Sequence, residues 1–226
     1  ATGQGVGYDN LALGVLHGHV DTQSTEETIG HLRNSTIDEI ISGLTNAPDA
    51  DTMSTHELDA LDTAARGNIE EINAYFLTND WSDGLPIIPP TRERVDTFLG
   101  SHIEQRWRVI GSARPSGREI NVWSIAVNAV MAGCEPRHLP LLISMAEIIA
   151  DPIYGVEHSG NTTGADALII LSGPASTGLG FNAGPGVLRE GVSANTTVGR
   201  WLRLYLRNVC GFTAEEHDKA TFGNSM

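Results

Sequence analysis

Between residues 120 and 150 the sequence carries two successive segments that are apolar on almost every side of a helix, and the rest of the chain has to build its core around them. From Ile120 to Ala132, the residues Ile120, Val122, Trp123, Ile125, Ala126, Val127, Ala129, Val130 and Met131 leave only Asn121, Ser124 and Asn128 polar. A helix with no continuous polar face belongs inside a protein. Gly133 stops this segment and Cys134-Glu135-Pro136 opens the next, a second apolar helix from Leu139 to Ala150. Pro140 falls in its first turn, where a missing N–H is tolerated. With 226 residues the chain can bury one good core and at most a second small unit.

The flanking segments are read from periodicity and caps. Ser24 with Glu27, and Thr36 with Glu39, fit the capping box, so two short helices are expected over about 25–33 and 37–44. Residues 45–55 read as a linker. This gives an N-terminal segment over 1–50, the remnant of an upstream domain or a partner-binding arm, and a main domain over 51–226. From His56 to Thr78 the apolar residues recur at helical spacing, with Gly67 as a weak point that divides the segment into two helices if it breaks. Trp81 to Thr91, with Pro86, Pro89 and Pro90, is forced into an extended course and reads as a structural corner or a pocket edge. Thr91 caps a helix to Leu99, and Trp107 to Ile110 reads as a strand. Ala167 to Leu171 reads as a buried strand leading into a Gly-rich loop. A helix follows with Val198, Trp201, Leu202, Leu204, Tyr205 and Val209 on one face, Ser193 or Asn195 as N-cap and Gly211 as its stop. The expected fold class is α/β, a small sheet packed with several buried apolar helices and preceded by a helical N-terminal segment.

Charge narrows the partners. A net charge of -14 argues against nucleic acid and against an anionic membrane, and directs attention to a small ligand or a protein. Two cysteines make no disulfide framework, and no spanning segment is visible, so a cytoplasmic setting is expected. The chain opens on Ala1 and closes on Met226 without a terminating element, which reads as one piece of a longer or split polypeptide. His17 and His19 have the i, i+2 spacing of two metal ligands on a strand, but the further ligands such a site needs are not evident downstream. No metal site is expected, and whether this pair takes a metal stays open.

Two loops carry the ingredients of an anion site. One offers Ser112, Arg114, Ser116 and Arg118; the other offers Gly184, Gly186, Ser193, Asn195, Thr196 and Thr197, with Asn182 among its glycines and Arg200 one helical turn further on. Neither matches a nucleotide fingerprint, so no nucleotide cofactor is expected and none other is identified. For proton transfer or nucleophilic attack the candidates are His158, Cys134, Asp83 and Glu135, with Asn161 beside His158 in a polar loop. Cys134 follows Gly133 near a helix start, which favours thiolate; its plain alternative is a small buried hydrophobe. The arginines equally read as solvated surface, and His158 as an exposed loop histidine.

Several stretches in order, Trp81 to Thr91, Val109 to Arg114, Ala129 to Pro136, Leu168 to Pro174, Asn195 to Arg200 and Asp218 to Gly223, resemble the C-terminal region of bacterial UGSC-type proteins. In that family a cysteine or selenocysteine motif lies in an N-terminal domain. The resemblance covers about residues 75–223, with 15–45 resembling the tail of that N-terminal domain. The chain has no UGSC motif and carries Glu157-His158-Ser159 where the family shows a different run. The resemblance implies an architecture and places the missing parts on a partner chain.

Two functions are expected on these grounds. One is an enzyme or catalytic subunit acting on a small anionic or polar molecule, as a lyase, hydratase or hydrolase, in a pocket where the Arg114, His158 and Asn182–Thr197 loops meet. The other is a non-catalytic subunit of a hetero-oligomer, or an oligomer with a second copy, whose partner carries the reactive residue.

Overall fold

The computed structural model describes residues 15–16, 23–46, 60–155, 167–189 and 191–213. The chain divides into two compact units, Ala1–Asp59 and Ala60–Met226, each considered by itself. The boundary expected near residue 50 falls among residues outside those described, as do His17 and His19.

In the first unit, α1 (Thr25–His31) starts from the expected box: the Ser24 hydroxyl accepts from Glu27 N–H at 3.3 Å and Glu27 Oε2 accepts from Ser24 N–H at 2.9 Å. The second box does not form. Residues Leu32–Thr36 continue as a turn of π-helix directly into α2 (Ile37–Thr45), so no helix begins at Thr36. Its side chain instead donates to Val15 O at 2.9 Å, while Glu39 Oε2 accepts from Val15 N–H at 2.9 Å. The two residues read as a cap satisfy both polar groups of one backbone residue elsewhere in the unit.

In the second unit the helix expected from His56 is shorter. Residues 60–68 are turn and irregular chain, and α3 (Ile69–Thr78) starts at Asn68, which makes a reciprocal box with Glu71. The segment from 81 to 91 is a corner: Asn73 Oδ1 accepts from Ile87 N–H at 2.7 Å, and Ile88 N–H reaches Met131 O at 3.2 Å. Then come α4 (Arg92–Leu99) and a 3-10 turn over Gly100–Gln105.

Strands β1 (Val109–Ser112) and β2 (Glu119–Asn121) pair antiparallel, with Gly111 opposite Ile120 and Ser112 opposite Glu119. The residues read as an anion loop are therefore the turn of a hairpin, and Ile120 and Asn121 are strand where helix is expected. Asn121 then caps α5 (Val122–Ala132) by a box with Ser124, and Gly133 at φ 84° ends it in the left-handed conformation that glycine adopts without strain. A short 3-10 turn (Pro136–His138) leads into α6 (Leu139–Ala150). As the composition requires, Ile125, Ala126, Ala129, Leu142 and Ala146 are fully buried.

The expected strand at 167–171 is absent. The segment carries no strand or helix assignment, Leu168 and Ile170 are 68% and 81% exposed, and only Ile169 and Leu171 are partly covered. Alternating apolar residues make a strand only where a neighbouring strand takes up the backbone N–H and C=O groups. Among the described residues the sheet has two strands and does not extend here. After α7 (Pro174–Gly178) and the glycine loop comes α8 (Ser193–Asn208), packed along α5 with Val198, Trp201, Leu204 and Tyr205 buried. Trp201 Nε1 donates to Ile125 O at 3.1 Å, and its ring stacks on Tyr205 with centroids 4.7 Å apart. The fold is thus mixed, predominantly helical with a small antiparallel hairpin, and α5, α6 and α8 form its centre.

Candidate functional site

α8 organises the placement of the candidate residues, because three separate segments are fastened along its length. At its start Val192 is the N-cap and makes no side-chain cap bond, so neither Ser193 nor Asn195 serves as one. Asn195 turns to the glycine loop instead: its Oδ1 accepts from Asn182 N–H at 2.9 Å and its amide donates to Val187 O at 3.2 Å. Asn182 in turn accepts from Gly184 N–H at 2.9 Å and donates to Pro185 O at 3.1 Å. The glycines and asparagines of this loop hold one another. Thr197 donates its hydroxyl back to Ser193 O at 2.8 Å.

Near the middle, Arg200 grips Asp83 with both teeth of its guanidinium, Nε to Oδ2 and Nη2 to Oδ1, each 2.9 Å, and Nη2 also reaches Pro86 O at 2.8 Å. Burial raises the Asp83 pKa, but the hydrogen bonds and charge of Arg200, with its backbone bonds, outweigh burial and hold it below the ordinary aspartate value. A carboxylate so held is a poor base.

At the far end the hairpin turn caps the helix. Ser116 Oγ donates to Val209 O at 2.8 Å, Ser116 N–H to Cys210 O at 3.0 Å, and Arg118 Nη1 to Asn208 O at 2.8 Å. These are carbonyls that the last turn of a helix leaves without partners. Ser112 closes the hairpin onto Gly117 O at 3.3 Å, and Arg114 lies exposed in the same turn. The Arg114–Arg118 turn and the Asn182–Asn195 pair thus sit at opposite ends of α8, separated by about 13 residues or roughly 20 Å of helix. The composite pocket expected from these loops does not assemble. His158 and Asn161 lie outside the described residues.

The corner between α5 and α6 holds the remaining candidates. Cys134 is buried, its thiol donates to Thr197 O at 3.3 Å, and burial pushes its pKa up to about 12. The expected thiolate is disfavoured, because burial raises the thiol pKa by more than its hydrogen bond to Thr197 lowers it. Glu135 is paired with Arg137 two residues on, Oε2 to Nε 2.9 Å and Oε1 to Nη2 3.1 Å. His138 is wholly buried: its Nδ1 accepts from Glu135 N–H at 3.2 Å, which leaves Nε2–H to donate to Leu179 O at 3.1 Å. The ring ties this corner to the glycine loop.

Beside the corner runs an open groove of about 590 Å³ lined by α4 on one wall and by Val130, Gly133, Cys134 and Pro136 on the other. Buried Phe98 and Val130 and the more exposed Ile88 are its apolar lining, and the exposed Thr91, Glu93, Arg94 and Thr97 its polar lining. Arg94 Nη1 donates to Pro89 O at 3.0 Å, and Thr97 Oγ1 donates to Glu93 O at 2.7 Å. Of the candidates read from sequence only Cys134 borders this groove. The sequence signal for the others was their spacing: Thr91, Arg94 and Phe98 follow one another at i, i+3 and i+7 along α4, with Phe98 also buried beside the core residues Val95 and Leu99. Among the described residues no cluster of His, Cys, Asp and Glu has the arrangement of a metal site, and no helix is long and apolar enough to cross a membrane.

Compared with protein-family models, curated proteins and solved structures, the chain matches none.

Proposed function

We propose that this chain works as a partner-dependent, non-catalytic subunit of an oligomer, in which the reactive residue comes from the partner. The observation that carries this reading is the segment 167–171. It is uncharged, Leu168 and Ile170 point outward at 68% and 81% exposure, and its backbone makes no hydrogen bond among the described residues. Ile153 is 92% exposed as well. Exposed apolar side chains on a backbone with no hydrogen-bond partner among the described residues suit an interface that takes a strand. The described candidates for chemistry support the same reading, since Asp83 and Glu135 are held by arginines and Cys134 is a buried thiol. The resemblance to UGSC-type proteins supplies a partner chemistry, a cysteine or selenocysteine motif, and the two-cysteine composition favours the cytoplasm.

The test is the association state. Alone, the chain is expected to self-associate in sedimentation, and a Leu168→Lys/Ile170→Lys variant to run as a monomer with unchanged far-UV circular dichroism. A chain that is monomeric at every concentration and also forms no complex when co-expressed with a chain carrying a cysteine or selenocysteine motif sinks the proposal.

The groove supports a second reading, an enzyme of the lyase, hydratase or hydrolase type acting on a small anionic or polar molecule. In it Arg94 binds an anion and Glu93 moves the proton; His158, read from the sequence as a proton carrier, lies outside the described residues. Its test is whether His158→Ala or Glu93→Gln abolishes an activity of the purified assembly; an activity untouched by both removes it.

A further inference from the structure

Glu93 and Arg94 are neighbours in the first turn of α4, and both line the groove. Adjacent residues on a helix point about 100° apart and do not face each other, so the two charges do not neutralise one another directly. Neither makes an ion pair with any of the described residues; Arg94 spends one nitrogen on Pro89 O, at 3.0 Å. Elsewhere the charges near this region are paired: Arg92 with Asp96, Arg137 with Glu135, Arg200 with Asp83. The lining of the groove therefore combines one cation and one anion, neither of them ion-paired among the described residues, with the apolar residues Phe98, Val130, Ile88 and Pro136.

We infer that this groove binds a small zwitterion with a branched apolar arm, of the chemistry of an aliphatic α-amino acid. The ligand carboxylate lies on the free edge of the Arg94 guanidinium, its ammonium on the Glu93 carboxylate, and its side chain over Phe98 and Val130. A plain fatty acid meets repulsion from Glu93, and a plain amine meets it from Arg94, so only a molecule carrying both charges gains from both. The volume of about 590 Å³ lies within the range of small-molecule sites. The inference deepens the groove-based reading and is independent of the oligomer proposal. Binding without turnover would remove the enzyme reading and leave this inference standing.

The test uses the 226-residue chain labelled with nitrogen-15. L-leucine, 4-methylpentanoate and 3-methylbutylamine are titrated separately while the backbone amides of Thr97, Gly133 and Cys134 are followed. Leucine is expected to shift these amides saturably, with the acid and the amine each binding roughly tenfold or more weakly, the loss that goes with one charge-assisted contact. Glu93→Gln is expected to weaken leucine by a similar factor and leave 4-methylpentanoate no weaker. Arg94→Gln is expected to abolish the response to both acids. No saturable shift with leucine, a single-charge analogue that binds as tightly as leucine, or variants that bind leucine as the parent does, each overturns the inference. Both side chains are solvent-exposed, so the variants fold, and their amide spectra verify it.

Discussion

Arg200 and Asp83, separated by 117 residues in the chain, meet through two parallel 2.9 Å hydrogen bonds that pin the proline-rich corner to the middle of α8. Asp83 is held below the ordinary aspartate value, so its contribution to stability is complete above about pH 4 and is lost as pH falls through its own lower pKa. Asp83→Asn is expected to cost about 2 kcal/mol at neutral pH, because Arg200 keeps its charge and loses its anion. The two proteins then begin to converge below about pH 4 and meet only below the lowered Asp83 pKa. Urea midpoints across pH 2 to 7 check this, and parallel curves would show that the pair adds no acid sensitivity. Arg200→Lys keeps the charge without the fork and is expected to recover only part of the loss.

Ser116 and Gly211 form the other fastening. Gly211 has φ 71°, and a Cβ placed there would come within 3.1 Å of Ser116 Cβ. Gly211→Ala is expected to destabilise by about 1 to 2 kcal/mol, from backbone strain plus crowding. Ser116→Ala loses the bond to Val209 O and costs about 1 kcal/mol. Ser116→Ala keeps the Cβ that a methyl at 211 would crowd, so the two costs are expected to add within about 0.5 kcal/mol; a double variant clearly less destabilised than the sum in urea would show that the hydroxyl, and not the Cβ, is what the new methyl displaces.

Both cysteines are buried thiols with pKa values pushed up to about 12 by burial. Neither is expected to react with a thiol reagent at pH 8 on the timescale on which both react in urea. Rapid stoichiometric labelling of Cys134 in the native protein would show that the groove wall opens.

His138 bridges Glu135 N–H and Leu179 O from a fully buried position and packs on Phe181 with centroids 5.8 Å apart. His138→Ala leaves a cavity and an orphaned N–H, and is expected to cost about 2 to 4 kcal/mol. Limited proteolysis should then cut first in the 179–189 loop. Cleavage elsewhere would indicate that the loop is held by Asn182 and Asn195 alone.

How far the sequence foretells this follows from what each feature depends on. The buried character of α5 and α6 was legible because a helix lacking a polar face has only one place to go, and Asn121, Gly133 and Thr91 mark ends by local chemistry. The 167–171 segment was not, since an apolar run says that something must cover it and says nothing about which chain does. Ser116 and Arg118 read as an anion loop because the groups they bind, three carbonyls at the end of α8, lie some 90 residues away. Thr36 and Glu39 misled for the same reason: capping residues are also the residues best suited to hold a distant backbone. The groove went unseen because its polar rim belongs to an ordinary amphipathic helix.

The reach of α8 has a consequence for synthesis. Trp201 covers α5 from 76 residues downstream and Asn208 meets Asn128 across 80. At cellular elongation rates of about 5 to 20 residues per second, α5 leaves the ribosome on the order of ten seconds before the helix that covers it exists. During that interval the apolar face of α5 that α8 will cover is open to water, a surface of the kind that makes nascent chains prone to aggregate.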